Sequence, residues 1–130
     1  MKTYFVVTGV LKFKDKILIL KKAPNDYNYP NKWSFCSGFT QEFETGEDNV
    51  LREIKEETGL DAKIVKTGKI MEVIDGEKRW VIAVYLCETD KDDVKLCHEN
   101  VDFKWVKLGE FDDYDFVPGL VTKLDGLGLE

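Results

Sequence analysis

The sequence is nearly without histidine, carrying only His98, and it holds three cysteines, Cys36, Cys87 and Cys97, in 130 residues. An odd count with no Cys-x-x-Cys spacing argues against a disulfide framework and against a thiolate zinc site, which needs more ligands close together. Reduced thiols in a cytoplasmic protein are the expectation, with Cys36 packing rather than reacting. No stretch of 18 apolar residues occurs, so no membrane-spanning helix is expected. The opening MKTYFVVTGVLKFKDK alternates like a strand, and its apolar run is too short and interrupted for a signal peptide. A basic excess is missing too, since 19 Lys and Arg stand against 25 Asp and Glu, leaving a net charge of -6. That argues against a nucleic-acid polymer as partner. It does not argue against a small phosphate compound, because a divalent cation reverses the local sign of an acidic cleft. Repeats, low-complexity segments and linkers are absent. With 43% hydrophobic and 34% charged residues, positions 1–130 read as one domain with a core of its own.

What is present falls into strands around one strong helix. Thr3–Lys14 and Lys16–Lys22 are apolar runs separated by Asp15 and read as a hairpin. Ala23–Lys32 is rich in Asn, Pro and Tyr and reads as a loop. Trp33–Ser37 is a short strand. A helix is predicted over Gly46–Thr58, with Thr45 as N-cap, Glu47 and Asp48 in the first turn, and Gly59 closing it. Val50, Leu51, Ile54 and Thr58 form its buried stripe. Ala62–Ile74 and Lys78–Thr89 read as two strands around Asp75-Gly76-Glu77. Asp90–Asn100 is a charged loop, Val101–Lys107 a strand, Leu108–Asp113 a short helical turn and Val117–Leu127 a final helix. Trp80 and Trp105 are assigned to the core. The mixture suggests a three-layer α/β/α sandwich with a mixed β-sheet.

The stretch Gly38–Leu60, GFTQEFETGEDNVLREIKEETGL, carries the chemistry. Glu53, Glu56 and Glu57 are three and four positions apart, so a helix brings them to one side, where bare like charges repel. A cation resting on them removes that cost. Mg²⁺ suits such a place: it prefers oxygen ligands and takes one or two carboxylates, several waters and substrate phosphates. A metal held there favours hydrolysis of a phosphoanhydride, with a spare carboxylate taking the proton of the attacking water.

The spacing Gly38, Glu44, Arg52-Glu53-Ile54, Glu56-Glu57 and Gly59-Leu60 resembles the Nudix box, G-x5-E-x7-R-E-U-x-E-E-x-G-U, in all nine defined positions. The resemblance implies the Nudix α/β/α fold, a Mg²⁺ (or Mn²⁺) cofactor and cleavage of a nucleoside diphosphate linked to another moiety. It further implies metal binding by Glu56 and Glu57, with Glu53 either a further ligand or the general base. Arg52 is implied to pair with Glu44 and orient the cluster. The Ser37 carbonyl and a downstream acidic residue, here Glu99, are implied as added metal ligands. Two departures stand out. Cys36-Ser37-Gly38 replaces the usual Pro-Gly-Gly, and Phe43 replaces the Gly before Glu44, which leaves Glu47 as a second candidate partner for Arg52.

Substrate choice lies outside the box. Tyr27, Tyr29, Trp33 and Phe35 are candidates to stack on a base or ribose, with core packing as the alternative for each. The tail DFVPGLVTKL loosely resembles that of MutT-like purine triphosphatases, with Leu120 where those reading oxidised guanine carry Asn. His98 reads as a surface loop residue. The preferred reading is a hydrolase releasing pyrophosphate from a nucleoside triphosphate, as a monomer or homodimer. The alternatives are nucleotide sugars, ADP-ribose or dinucleoside polyphosphates. A silent Nudix-fold binding module is disfavoured because every box carboxylate is present. A Ca²⁺ module is disfavoured because the D-x-D-x-D-G loop is absent.

Overall fold

The computed structural model describes residues 1–129, and in it the alternating amino-terminal third becomes the centre of a mixed sheet. β1 (Lys2–Phe13) lies parallel to β7 (Lys78–Glu88), in unbroken register from Lys2↔Lys78 to Lys12↔Glu88. The other edge of β1 is shared. β4 (Cys36–Phe39) pairs antiparallel with Val6–Gly9, and β2 (Lys16–Lys22) forms the hairpin at Lys12 and Phe13. β2 in turn pairs with β3 (Trp33–Ser34) and with β8 (Asn100–Val106). The outer edge of β7 is divided between β5 (Lys63–Thr67) and β6 (Met71–Asp75).

Side-chain alternation sorts two cores. Val7, Leu11, Leu18, Leu20 and Cys87 face one side of the sheet, against Val50 and Ile54 of α1 (Gly46–Thr58). Val10, Ile17, Ile19, Val84 and Leu86 face the other, with Phe35, Phe111, Leu120 and Leu127. Ile17–Leu20 is therefore buried on both faces, as a strand covered on each side must be. α1 sits close to β1 because Gly9 has no side chain: a Cβ there would come within 2.8 Å of Val50 Cγ2. The helix spans the expected residues. The Asp48 N–H donates to Thr45 Oγ1 at 3.1 Å, and Gly59, at φ 75°, ends the last turn. Among the described residues no helix is long and apolar enough to cross a membrane.

The arrangement is the expected three-layer sandwich, but the layer opposite α1 is built from 3-10 turns at Leu108–Asp113 and Val121–Leu124. The final helix expected over Val117–Leu127 does not form. Gly119, Gly126 and Gly128 take positive φ, and the chain before them runs alongside β3. There the Trp33 N–H donates to Asp115 O at 2.9 Å, and the Val117 N–H to Trp33 O at 3.0 Å. The single strand expected over Ala62–Ile74 is two, β5 and β6. They part at Gly68, whose N–H donates to Val84 O at 2.7 Å and whose bare Cα admits Leu127, 2.9 Å from where a Cβ would stand. The strand expected over Trp33–Ser37 divides at Phe35 into β3 and β4.

Both tryptophans assigned to the core lie at its margin. Trp105 is half-buried so that its indole N–H can reach Asp92 O at 3.0 Å. Trp80 stacks on Tyr4 with ring centroids 4.8 Å apart, outside both core clusters. Leu51 is half-buried, and its place in the buried stripe of α1 goes to Asn49 and Glu57.

Candidate active site

Asn49, Glu53 and Glu57 recur every four residues, so they rise along one side of α1, the side that packs on β4. Asn49 is fully buried and fixes the loop after β4. Its Nδ2 donates to Phe39 O at 3.3 Å, and its Oδ1 accepts from Thr40 Oγ1 at 2.8 Å. One turn on, the Glu53 carboxylate fills the space beside Gly38, where any Cβ would overlap it. One turn further, Glu57 is 7% exposed and its Oε2 accepts the Ser37 N–H at 3.2 Å. The side chain of Glu56 points away and is 57% exposed, against 14% for Glu53. The three carboxylates therefore do not share one environment: two face β4 and one faces outward.

Arg52 ties the cluster together. Its Nε and Nη2 form a two-pronged pair with Glu44, at 2.6 Å to Oε2 and 3.0 Å to Oε1. Its Nη1 reaches Glu53 Oε1 at 2.9 Å and both oxygens of Glu56 at 3.1 Å. Nη2 also donates to Phe39 O at 3.3 Å. Glu44 rather than Glu47 is the partner. Phe43, ahead of it, adopts φ 63°, the left-handed turn that a Gly at this place would take freely. Glu44 Oε1 additionally accepts the Gln41 N–H at 3.0 Å.

The electrostatics are those of a cation-binding face. Burial, and then the neighbouring Glu53 charge, push the Glu57 carboxyl up to about 9, against the Ser37 N–H and Lys22, which pull it down. Burial also raises Glu53, although Arg52 opposes this. The Arg52 hydrogen bonds lower Glu44. A buried pair of carboxylates costs free energy unless a proton or cation sits between them. The donors Glu53 and Glu57 offer are carboxylate oxygens, which fit a hard divalent ion. The site is not a closed cage, since among the described residues no three acidic, His or Cys groups converge on one point. An open half-site of this kind suits a metal completed by water and phosphate oxygens.

The remaining candidates are scattered. Glu99 is exposed in the loop before β8, near enough for its charge to raise Glu57. His98 is exposed. Tyr27 stands 97% exposed in the loop between β2 and β3, and Tyr29 is exposed as well. Trp33, Phe35 and Leu120 are all buried in the core cluster opposite α1. Phe35 packs against Phe111 and Phe116 at 6.3 Å between centroids. Two residues that bear on the candidate site carry no motif in the sequence. Asn49 is one, and its signal was a polar residue one turn before Glu53 on the same side. The other is Lys22 at the end of β2, which nothing local marks.

Comparison with known proteins agrees with this fold. The family model described as NUDIX domain covers residues 3–123. The chain is 25% identical, over a 142-residue alignment covering 99% of each protein, to the nucleoside triphosphatase NudI of Klebsiella pneumoniae (strain 342). Among solved structures it resembles the MutT protein of Methanosarcina mazei Go1, with a TM-score of 0.81 and 22% identity over 92% of this chain and 88% of that one. It also resembles the NUDIX domain of Shewanella oneidensis NrtR in complex with ADP ribose, with a TM-score of 0.83 and 17% identity over 98% and 87%. With every box position filled and a family match over nearly its whole length, the chain belongs to the NUDIX family of phosphoanhydride hydrolases.

Proposed function

We propose that the chain is a Mg²⁺-dependent nucleotide pyrophosphohydrolase that converts a nucleoside triphosphate to its monophosphate and pyrophosphate. The observation that carries this reading is the pair of neighbouring carboxylates between α1 and β4, Glu57 buried and Glu53 half-buried. The 25% identity to a protein named nucleoside triphosphatase supports the choice of substrate. Glu53 and Glu57 would hold the ion, joined by Glu56 once its side chain turns inward, with the Ser37 carbonyl and Glu99 as further oxygen donors. Mn²⁺ satisfies the same donors. When bound, the ion neutralises charge on the phosphate chain and lowers the pKa of a bound water.

The chain's own residues do the rest. Arg52, braced by Glu44, holds Glu53 and Glu56 to one guanidinium nitrogen. A carboxylate of the pair, Glu53 in this reading, accepts the proton of the attacking water as its oxygen bonds to the α-phosphorus. The bond from that phosphorus to the α–β bridging oxygen breaks, and pyrophosphate leaves with the electron pair. The Ser37 N–H holds Glu57 in place throughout.

The test is hydrolysis of nucleoside triphosphates, nucleotide sugars, ADP-ribose and dinucleoside polyphosphates with Mg²⁺, beside Glu53→Gln and Glu57→Gln. Triphosphates are expected to yield pyrophosphate, chelator to abolish turnover without unfolding the protein, and each variant to lose about two orders of magnitude or more. Near-normal turnover in both variants overturns the site assignment. Preference for a nucleotide sugar keeps the enzyme class and overturns the substrate.

A further inference from the structure

Across the sheet from α1, the carboxy-terminal turn buries a cation that the carboxylate chemistry leaves unused. Lys123 is half-buried, and its Nζ donates to the hydroxyl of Thr8, itself 1% exposed, at 3.1 Å. Thr8 lies opposite Ser37 in the β1–β4 pairing, so the ammonium sits over the strand that leads into the box. No ion pair among the described residues includes Lys123. A hydroxyl does not compensate a charge, and an ammonium has three donors, of which Thr8 takes one. Burial and the nearby Lys22 lower its pKa to about 8, so it stays charged at neutral pH.

Lys123 lines a cleft of about 180 Å³ with Lys69, Ile70, Met71, Thr122 and Asp125. That is below the roughly 300–1,000 Å³ of a site enclosing a drug-sized ligand, and it suits one part of a nucleotide. The cleft shares no residue with the carboxylate cluster. Lys22 lies near both, since its charge acts on Glu57 and on Lys123 alike. Phosphates bound at the carboxylates would place the other end of the substrate near the cleft. Its Ile70 and Met71 wall offers the faces of a planar ring an apolar surface, and Lys123 offers the ring's edge a charged donor.

We propose that Lys123 is a specificity-determining residue that donates a charge-assisted hydrogen bond to an exocyclic oxygen of the substrate's base. The inference rests on the nucleotide reading above. Uracil and guanine present such an oxygen at the matching edge, O4 and O6; cytosine and adenine present an amino group there instead. A donor aimed at that edge favours the first two.

Binding of UMP, CMP, GMP and AMP, followed by titration calorimetry, tests this without requiring turnover, so it stays separate from the substrate panel. The wild-type protein is expected to bind UMP and GMP about 10- to 100-fold tighter than CMP and AMP, the size of one hydrogen bond to a charged group. Lys123→Met is expected to bring all four within a few-fold, with CMP and AMP nearly unchanged. The proposal is overturned if the wild type binds none of them, or binds all alike, or if the variant keeps the preference. An equal loss for all four also overturns it, because that marks a phosphate contact. Thermal unfolding checks the variant; if Lys123→Met fails to fold, Lys123→Gln is read by the same outcomes.

Discussion

At the scale of single residues, the site is set by what has no side chain. Gly38 leaves the space that the Glu53 carboxylate fills, so Gly38→Ala is expected to displace that carboxylate. A misplacement of about 1 Å costs on the order of 100-fold in rate. Steady-state kinetics beside a circular dichroism spectrum unchanged from wild type is the check, and unchanged turnover removes the link between Gly38 and Glu53. Phe43 is the reverse case. It is 99% exposed and holds φ 63°, so it loses backbone energy and gains no packing. Phe43→Gly is expected to stabilise the fold by about 1 kcal/mol, read as a rise in melting temperature. A fall would mean that the ring makes a contact worth more than the strain.

At the scale of elements, α1 and β4 act as one unit through Glu57. The unfolded carboxyl titrates near its ordinary 4.5 and the folded one near 9. Below the lower value both states are neutral and burial of this group costs little. Between the two the unfolded chain gives up its proton while the folded one keeps it, so stability falls as pH rises. In metal-free protein, the melting temperature of wild type is expected to drop below that of Glu57→Gln progressively from about pH 5 to 9. A gap independent of pH would show that Glu57 is not held neutral. This helix was readable in advance because its signals are local: the Thr45 cap, the Gly59 stop and the spacing of carboxylates all lie within a few turns. The elements that were misread depend on distant partners. Gly68 ends β5 because Leu127 occupies its missing side chain. The segment before Val121 is extended because Trp33, far back in the chain, takes its hydrogen bonds. Trp33, Phe35 and Leu120 are apolar residues whose choice between ligand and core depends on which face of the sheet the tail covers, and no pattern within the tail states that.

At the scale of the whole molecule, the tail is a structural layer. Phe111, Leu120 and Leu127 cover Val10, Ile19 and Val84 on the face that α1 leaves bare. A chain ending at Asp115 is expected to lose its cooperative unfolding transition and to bind a hydrophobic dye, since that face would stand open to water. Retention of a sharp transition would mean that the sheet and α1 suffice. The long parallel pairing of β1 with β7 has a different kind of consequence, one that concerns synthesis. Lys2 meets Lys78, so the first strand made must wait for a partner 76 positions later (78 minus 2). At roughly 5–20 residues per second on the ribosome, that is a delay of about 4–15 s. During that time β1 can form only its pairings with β2 and β4, and its hydrophobic flank is left for a chaperone, or for another nascent chain, to find.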